Sequence, residues 1–193
     1  ALGEWLKVNG HSVDYLVGET SRKDIGDVYS LSRNIKVQSN GNSMSIPLPS
    51  FKTKIIEHLN NHKYDIIHVQ TPYSPFMGGK LIKYAPGSTA VIGTFHILPN
   101  SKLIYLGNRL LGIYCRNTLK RFDKMLSVSD VAADFACQTF HIKSDILPNV
   151  VDVSRFQNAK PFAKYDDDVI NILFLGRLVP RKGCKTLLDA ILL

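Results

Sequence analysis

A histidine, His96, follows the sequence Gly93-Thr94-Phe95 at the end of a predicted apolar strand. An imidazole donates and accepts hydrogen bonds and titrates near neutral pH, so His96 could contact a hydroxyl, a phosphate or a carbonyl of a bound substrate. The same position suits a structural histidine that is bonded to nearby backbone, and position alone leaves both interpretations open. His68 lies within an earlier predicted strand, where we expect a buried ring with its hydrogen bonds satisfied.

A second group of candidate residues is a basic loop between a predicted strand and a predicted helix. Arg177, Arg181 and Lys182 lie there, and Gly176 and Gly183 flank them. Backbone N–H groups at a helix N-terminus favour anions. Arginine adds a planar, bidentate donor and lysine a point charge. This pattern indicates a diphosphate clamp; the alternative is a solvated charged loop. The glycines favour the clamp, because they allow a ligand to approach the backbone closely.

Two common phosphate-binding motifs do not occur. A P-loop needs G-x-x-x-x-G-K-[ST], whereas Gly183-Cys184-Lys185-Thr186 has an additional residue between glycine and lysine. There is no G-x-G-x-x-G either, so the sequence gives no support for a classical NAD site.

Charge and cysteine content restrict the function classes further. The 193 residues carry a formal net charge of +8, which favours anionic partners such as nucleotides, phosphorylated substrates or acidic lipids. A nucleic acid partner is disfavoured, because there is no RNP-type aromatic motif and the cations are not confined to one element. The three cysteines are far apart, which argues against a disulfide framework or a zinc site and fits a cytoplasmic protein. We find no signal peptide and no apolar stretch long enough to span a bilayer.

Apolar runs alternate with amphipathic segments along the chain, which predicts an α/β protein with a parallel sheet covered on both faces. The predicted strands are residues 12–17, 34–39, 64–70, 88–95, 122–128, 146–148 and 170–175. Residues 40–50 are predicted as a loop. Ser50 and Ser129 are predicted to cap helices, since a serine at the N-cap accepts from a free backbone N–H.

Ligands of open α/β sheets bind beyond the carboxyl ends of the strands. This rule selects the residues after each predicted strand, and we expect them to converge on one edge. Apart from His96, the candidates for an acceptor site or cleft are Thr71, Tyr73, Ser129 and Asn149.

The composition indicates a domain boundary near residue 157. Residues 1–156 form one predicted domain, and residues 157–168 have the Pro, Lys and Asp content of a linker. Residues 169–193 begin a second unit with one strand and one helix. Because a lone strand and helix cannot bury their apolar faces, we expect the second domain to be truncated.

Several motifs in order resemble the GT-B retaining glycosyltransferases of family 4, and most of all the bacterial phosphatidylinositol mannosyltransferase type. The motifs are Asp65-Ile-Ile-His68, Gly93-Thr-Phe-His96, Leu126-Ser-Val-Ser129, Leu147-Pro-Asn149-Val-Val-Asp152, Phe174-Leu-Gly-Arg177 and Arg181-Lys182-Gly183. The resemblance covers nearly the whole chain. One departure is Val150, which stands where the family normally has glycine after the asparagine.

The resemblance implies two Rossmann-like domains that face a cleft, the first holding the acceptor and the second a GDP- or UDP-linked sugar. It implies that Arg177 and Lys182 contact the donor diphosphate and that His96 is catalytic, near the reacting sugar. No metal or other cofactor is implied. The family's glycine-rich loop and distal carboxylate pair are expected to lie outside residues 1–193, so this chain alone is expected to be inactive.

Two further interpretations stay open. A catalytically silent sugar- or nucleotide-binding module, or an epimerase or phosphorylase, could use the same architecture. The basic, amphipathic segment from Lys102 to Lys124 could rest on an anionic membrane at the cytoplasmic face, as a lipid-linked acceptor would favour. The alternative is an ordinary surface helix whose apolar side covers the sheet.

Overall fold

The computed structural model describes residues 2–22, 24–39, 42–96, 102–160 and 162–192. They form two compact units. The larger comprises Leu2–Ile35 and Ser45–Asn149, and the smaller comprises Lys36–Met44 and Val150–Leu193.

Strands and helices alternate through most of the chain, as the sequence predicts. The strands are β1 (Tyr15–Val17), β2 (Val28–Ser30), β3 (Asn34–Ser39), β4 (Asn42–Pro47), β5 (Ile66–Gln70), β6 (Ala90–Phe95), β7 (Lys124–Ser127) and β8 (Asp145–Ile146). The helices are α1 (Leu2–Val8), α2 (Lys52–His62), α3 (Met77–Tyr84), α4 (Lys102–Leu119), α5 (Asp130–Phe140), α6 (Ser154–Gln157) and α7 (Cys184–Ile191). Ala163–Tyr165 and Pro180–Lys182 form 3₁₀ turns.

The larger unit is built on a four-stranded parallel sheet in the order β5-β6-β7-β8. The chain is therefore an α/β protein with a Rossmann-like parallel sheet, as predicted. Two small sheets accompany it, a parallel pair of β1 and β2 and a pair of β3 and β4.

One face of this sheet carries the core. The register pairs Ile67 with Val91 and Gly93 with Met125, so these side chains and Phe95 point to the same face. Phe95 and Met125 pack with buried residues of α4 and α5, and Ile67 packs with residues of α2 and α3. Because consecutive parallel strands are joined by right-handed crossovers, α3, α4 and α5 fall on one side.

The opposite face is less covered than the sequence predicts. Ile66 is 56% exposed, His68 is half-buried and Gln70 is exposed. The strand order explains the difference. Each right-handed crossover between consecutive strands places its helix on the same face of the sheet, which is the face that carries the core.

The strand predicted at residues 170–175 is not present, whereas α7, the helix predicted after it, is. A strand exists only by pairing, and none of the described strands pairs with this segment. Its apolar residues are instead exposed, with Ile170 at 88% and Leu175 at 91%.

Two strands and one cap also differ from the prediction. β2 and β4 lie outside the predicted strands, and β4 falls within residues 40–50, which the sequence predicts as a loop. Ser50 does not cap α2. Its buried hydroxyl donates to the carbonyl oxygen of Leu31, and the N-cap is Phe51 without a side-chain hydrogen bond. Ser129 does cap α5, accepting from the N–H of Ala132 at 3.3 Å.

Candidate functional site

The carboxyl ends of the parallel strands meet at one edge of the main sheet. The ladder continues past the strands, because Thr71 N–H donates to Thr94 O at 3.2 Å and Val128 N–H donates to Phe95 O at 3.1 Å. Leu147 N–H likewise donates to Ser127 O at 2.9 Å. The segments that hold Thr71, His96, Ser129 and Asn149 therefore leave the sheet at the same edge.

A row of polar side chains crosses from β5 to β6 at this edge, on the face opposite the core. Gln70 pairs in register with Thr94, and His68 and His96 lie two residues before and after them. Because alternate residues of a strand share a face, all four side chains point the same way. The Thr94 hydroxyl donates to His68 Nε2 at 2.7 Å, and Gln70 Nε2 donates to the same nitrogen at 3.2 Å.

Gln70 connects His96 to this row. His96 Nε2–H donates to Gln70 Oε1, while the amide N–H of Gln70 points to His68. Burial, and to a lesser degree the charge of His96, lower the pKa of His68 and so favour its neutral form, whose Nε2 accepts mainly from the closer Thr94 hydroxyl. A neutral His96 with its proton on Nε2 has an unprotonated Nδ1. That nitrogen is a hydrogen-bond acceptor of the kind that a substrate hydroxyl needs.

The sequence analysis identified His96 but did not identify Gln70 and Thr94 as its support. The sequence does contain a signal for this row: two polar residues with i, i+2 spacing lie at the end of each of two neighbouring strands. His68 is hydrogen-bonded, as predicted, but only half-buried.

Gly93 is required by close packing inside β6. A Cβ at this position would lie 2.7 Å from Met125 Sδ, 2.8 Å from Phe122 Cε1 and 2.9 Å from Pro72 Cβ. These distances are shorter than carbon contacts allow, so any side chain here would displace the strand that carries His96. The glycine of the Gly-Thr-Phe-His sequence therefore allows the close packing that positions this edge of the sheet.

Thr71 lies in a turn with an unusual backbone conformation, and Tyr73 is buried in the core. Thr71 adopts a left-handed backbone conformation with φ of 73°, which costs about 1 kcal/mol for a residue with a Cβ. The turn directs Tyr73 into the core, where it is 7% exposed and stacks against Phe95 and Phe140. Burial raises the pKa of Tyr73 to about 12. Its ring is therefore not among the exposed side chains at the sheet edge.

Ser129 and Asn149 are both exposed at the edge. Ser129 has a structural role as the N-cap of α5. Asn149 follows β8 in an irregular segment and ends the larger unit.

The basic loop lies in the smaller unit and folds back on itself. Pro180–Lys182 forms a 3₁₀ turn, and Gly183, with φ of 75°, precedes α7. A Cβ on Gly176 would lie 3.8 Å from Lys182 Cβ, so the two ends of the loop are close. Arg177 and Lys182 are both exposed, and neither forms an ion pair with another described residue. The loop thus presents two unpaired cations beside a helix start.

Within the described ranges, we find no group of three or more His, Cys, Asp or Glu side chains that could hold a metal ion. Of the helices in the same ranges, none has the length and apolar character needed to cross a bilayer.

Comparison with known proteins gives relatives that share one name. The chain is similar to phosphatidyl-myo-inositol mannosyltransferases of Mycobacterium tuberculosis, with 27% identity over 193 residues, and of Mycolicibacterium smegmatis, with 26% over 194 residues. The enzyme of the same name from Propionibacterium freudenreichii is 27% identical over 204 residues. Each match includes 98% of this chain but only 49% to 51% of the relative, so the chain spans about half the length of these proteins.

The family comparison covers most of the larger unit and the site edge. The sequence model of Glycosyltransferase Family 4 matches residues 1–155, which include the polar row, His96 and Asn149. This match extends over well more than half of the chain. The chain therefore belongs to Glycosyltransferase Family 4.

Proposed function

We propose that the full-length protein transfers a hexose from a nucleoside diphosphate sugar to a hydroxyl acceptor, with retention of anomeric configuration. The observation that carries the proposal is the family match over residues 1–155. Mannose and phosphatidylinositol, which appear in the names of the relatives, are the first donor sugar and acceptor to test. GDP- and UDP-linked sugars are the corresponding donors.

The reaction breaks the bond between the anomeric carbon and the diphosphate oxygen, and it forms a bond from that carbon to the acceptor oxygen. The departing diphosphate takes the electron pair of the broken bond and so gains negative charge, and the acceptor hydroxyl gives up its proton to a diphosphate oxygen. Arg177 and Lys182 are fixed positive charges of the kind that stabilise such a leaving group. We propose that they bind the diphosphate and that the reaction needs no metal.

His96 is proposed to contact the reacting sugar or the acceptor hydroxyl. The bond to Gln70 supports this role, because it holds the ring of His96 in place at the edge of the sheet. Of the other edge residues, Thr71, Ser129 and Asn149 remain candidates for acceptor contacts. Tyr73, which is buried, is not included.

Replacing His96 by alanine in the full-length protein is expected to lower kcat for sugar transfer about tenfold. The loss of one substrate hydrogen bond is worth roughly 1.4 kcal/mol, and that energy corresponds to a factor of ten in rate. The assay is nucleoside diphosphate release in the presence of acceptor. His11→Ala, an exposed histidine in the turn after α1, is the matched control and should leave kcat unchanged.

An unchanged kcat for His96→Ala would contradict the proposed role of His96. Donor binding without transfer to any acceptor would contradict the enzyme proposal and favour a binding module.

Peripheral contact with an anionic membrane is proposed as well, and α4 supports it. One side of this helix faces the core through Cys115 and Leu119, as the ordinary surface-helix interpretation requires. The other side carries an exposed apolar stripe of five residues at helical spacing. They are Leu103, Leu106, Leu110, Ile113 and Tyr114. A row of exposed cations flanks the stripe, as in helices that lie on acidic bilayers.

The double substitution Leu106→Gln with Leu110→Gln is expected to weaken binding to phosphatidylglycerol-containing vesicles at least tenfold. Each leucine that enters a bilayer contributes about 1.5–3 kcal/mol, so even partial insertion gives this effect. The measurement is vesicle co-sedimentation of the full-length protein at low salt. Val8→Gln with Phe51→Gln, which changes two exposed apolar residues elsewhere, is the control. Equal binding by both double variants would exclude α4 as the contact surface.

A further inference from the structure

Five half-buried side chains that can donate or accept a proton meet at the end of α2, and we call them the histidine cluster. Two of them, His58 and His62, lie four residues apart in the last part of α2, so they share one side of the helix. The others are Asp14 before β1, Tyr29 in β2 and Tyr64 before β5. None of the five belongs to the polar row at the sheet edge.

Asp14 accepts two hydrogen bonds in this cluster. Its Oδ2 accepts from the Tyr64 hydroxyl at 2.7 Å and from Nδ1–H of His62 at 3.0 Å. His58 Nε2 lies 2.8 Å from the oxygen of the same hydroxyl. Because the single proton of that hydroxyl is directed to Asp14, the proton between His58 and Tyr64 is the one on Nε2, which donates to the oxygen. A chain of hydrogen bonds therefore joins α2 to the segments that lead into β1 and β5.

The two imidazole rings are also in direct contact. His58 stacks on His62 with ring centroids 4.2 Å apart, and the Tyr29 ring packs against both, with centroids 4.8 Å and 4.6 Å away. Two protonated rings at this separation would repel each other, because a half-buried site screens charge less than water does. The closed cluster therefore disfavours a state in which both histidines are charged.

The charges that act on His58 come from three elements. Asp14 favours a charged ring, whereas His62 and Lys54, which lies one turn earlier on α2, oppose it. Lys54 is held in place because its Nζ donates to the carbonyl oxygen of Ser30, at the end of β2, at 2.7 Å. One carboxylate thus faces two basic groups in addition to His58.

The tyrosines and α3 add no charge close to the histidine pair. Burial, together with the hydrogen bond to Asp14, raises the pKa of Tyr64, so its hydroxyl stays protonated. From α3, Lys80 reaches the other end of α2, where its Nζ donates to the carbonyl oxygen of Ser50 at 2.7 Å. A proton that enters the cluster is therefore opposed by groups on α2 itself.

We propose that the histidine cluster is a pH-sensitive latch, which holds the end of α2 on the β1–β2 sheet at neutral pH and releases it in mildly acidic conditions. The stacked rings and the shared carboxylate supply the mechanism, because a further positive charge is better hydrated once the elements separate. The latch does not depend on sugar transfer, and its opening is measured without catalysis.

Linkage gives the direction of the pH dependence. Burial, followed by the charge of His62, lowers the pKa of His58 in the folded protein. An opened chain therefore takes up a proton at the ordinary histidine pKa of roughly 6.5, whereas the closed cluster does not. The stabilisation by the latch is complete above that pH and is lost as the pH falls below it.

Hydrogen exchange of the full-length protein, followed by mass spectrometry, tests the latch. Opening constants are compared between about pH 7.5 and about pH 5.5, after correction for the intrinsic exchange rate at each pH. Since opening takes up one proton, the opening constant of the α2 amides should rise as the pH falls, by at most about tenfold per pH unit. The amides of α5, which lies outside the cluster, are the reference and should show a smaller rise.

Two variants remove the titrating ring and retain one of its contacts each. His58→Gln keeps a donor for the Tyr64 oxygen, and His58→Phe keeps a ring that can stack on His62. Neither new side chain can be protonated, so the additional rise in α2 relative to α5 should disappear in both. His11→Gln, which removes an exposed histidine outside the cluster, should retain it. An equal response of α2 and α5 in the wild type, or a difference that persists in both His58 variants, would overturn the proposal.

Discussion

Replacing Arg177 by alanine in the full-length protein is expected to lower kcat/KM for the nucleotide sugar about 10²–10³-fold. Removal of one preorganised donor from a site of developing negative charge has effects of this size. Arg177 is exposed and unpaired among the described residues, so its loss breaks no structural ion pair. The measurement is steady-state kinetics with the donor varied at saturating acceptor.

Lys185→Ala is the matched control, because it removes a nearby cation from α7 that already pairs with Asp189 at 2.7 Å. A smaller loss than for Arg177 is expected in Lys182→Ala, since a lysine offers a point charge and not a bidentate fork. If Arg177→Ala and Lys185→Ala had the same kcat/KM, the diphosphate clamp would have to be abandoned.

Phe95→Ala is expected to lower the free energy of unfolding by about 3–5 kcal/mol. Phe95 is fully buried at the end of β6, where its ring stacks against Tyr73 with centroids 5.6 Å apart and packs at a tilt against Phe140 with centroids 5.5 Å apart. Truncation leaves a cavity between the sheet and α5, and the packed aromatic neighbours cannot fully close it. Urea denaturation followed by circular dichroism measures the change.

Phe51→Ala provides the comparison for Phe95. Phe51 is 82% exposed at the start of α2, so its loss should change the unfolding free energy by less than about 0.5 kcal/mol. Similar losses for the two variants would show that Phe95 is not a core residue.

The parallel sheet could be predicted from the sequence because its strands are apolar runs bounded by turn residues. β5 and β6 have such runs, and both form within the residues predicted for them. β2 and β4 could not be found this way. A polar strand such as Asn42–Pro47 is stabilised by its neighbour, and that pairing is a tertiary effect which local composition does not encode.

The predicted serine caps show the same limit of local sequence patterns. Ser129 and Ser50 both precede apolar helical segments, so the local pattern predicts a cap for each. Ser129 caps α5 and makes no other side-chain hydrogen bond with the residues that the structure describes, whereas Ser50 is close to the carbonyl oxygen of Leu31, nineteen residues earlier, and bonds to it. Only the fold shows which acceptor is near.

The candidate site was predictable in position but not in its internal contacts. The strand-end rule selects His96, Ser129 and Asn149, and the structure brings their segments to one edge. The same rule also selects Tyr73, because it does not consider that a left-handed turn at Thr71 could send the next side chains into the core. The link from His96 to Gln70 requires the register between β5 and β6.

The consecutive order of the main sheet has a consequence for how the chain folds as it is synthesised. Among the strands that the structure describes, β5, β6, β7 and β8 each bond with the strand that immediately precedes or follows them within this sheet. Every new strand can therefore join its partner as soon as the helix between them has left the ribosome, without waiting for distant residues. The loop closed at each step is short, so its entropic cost is small. The newest strand then forms the edge of the sheet to which the next strand adds.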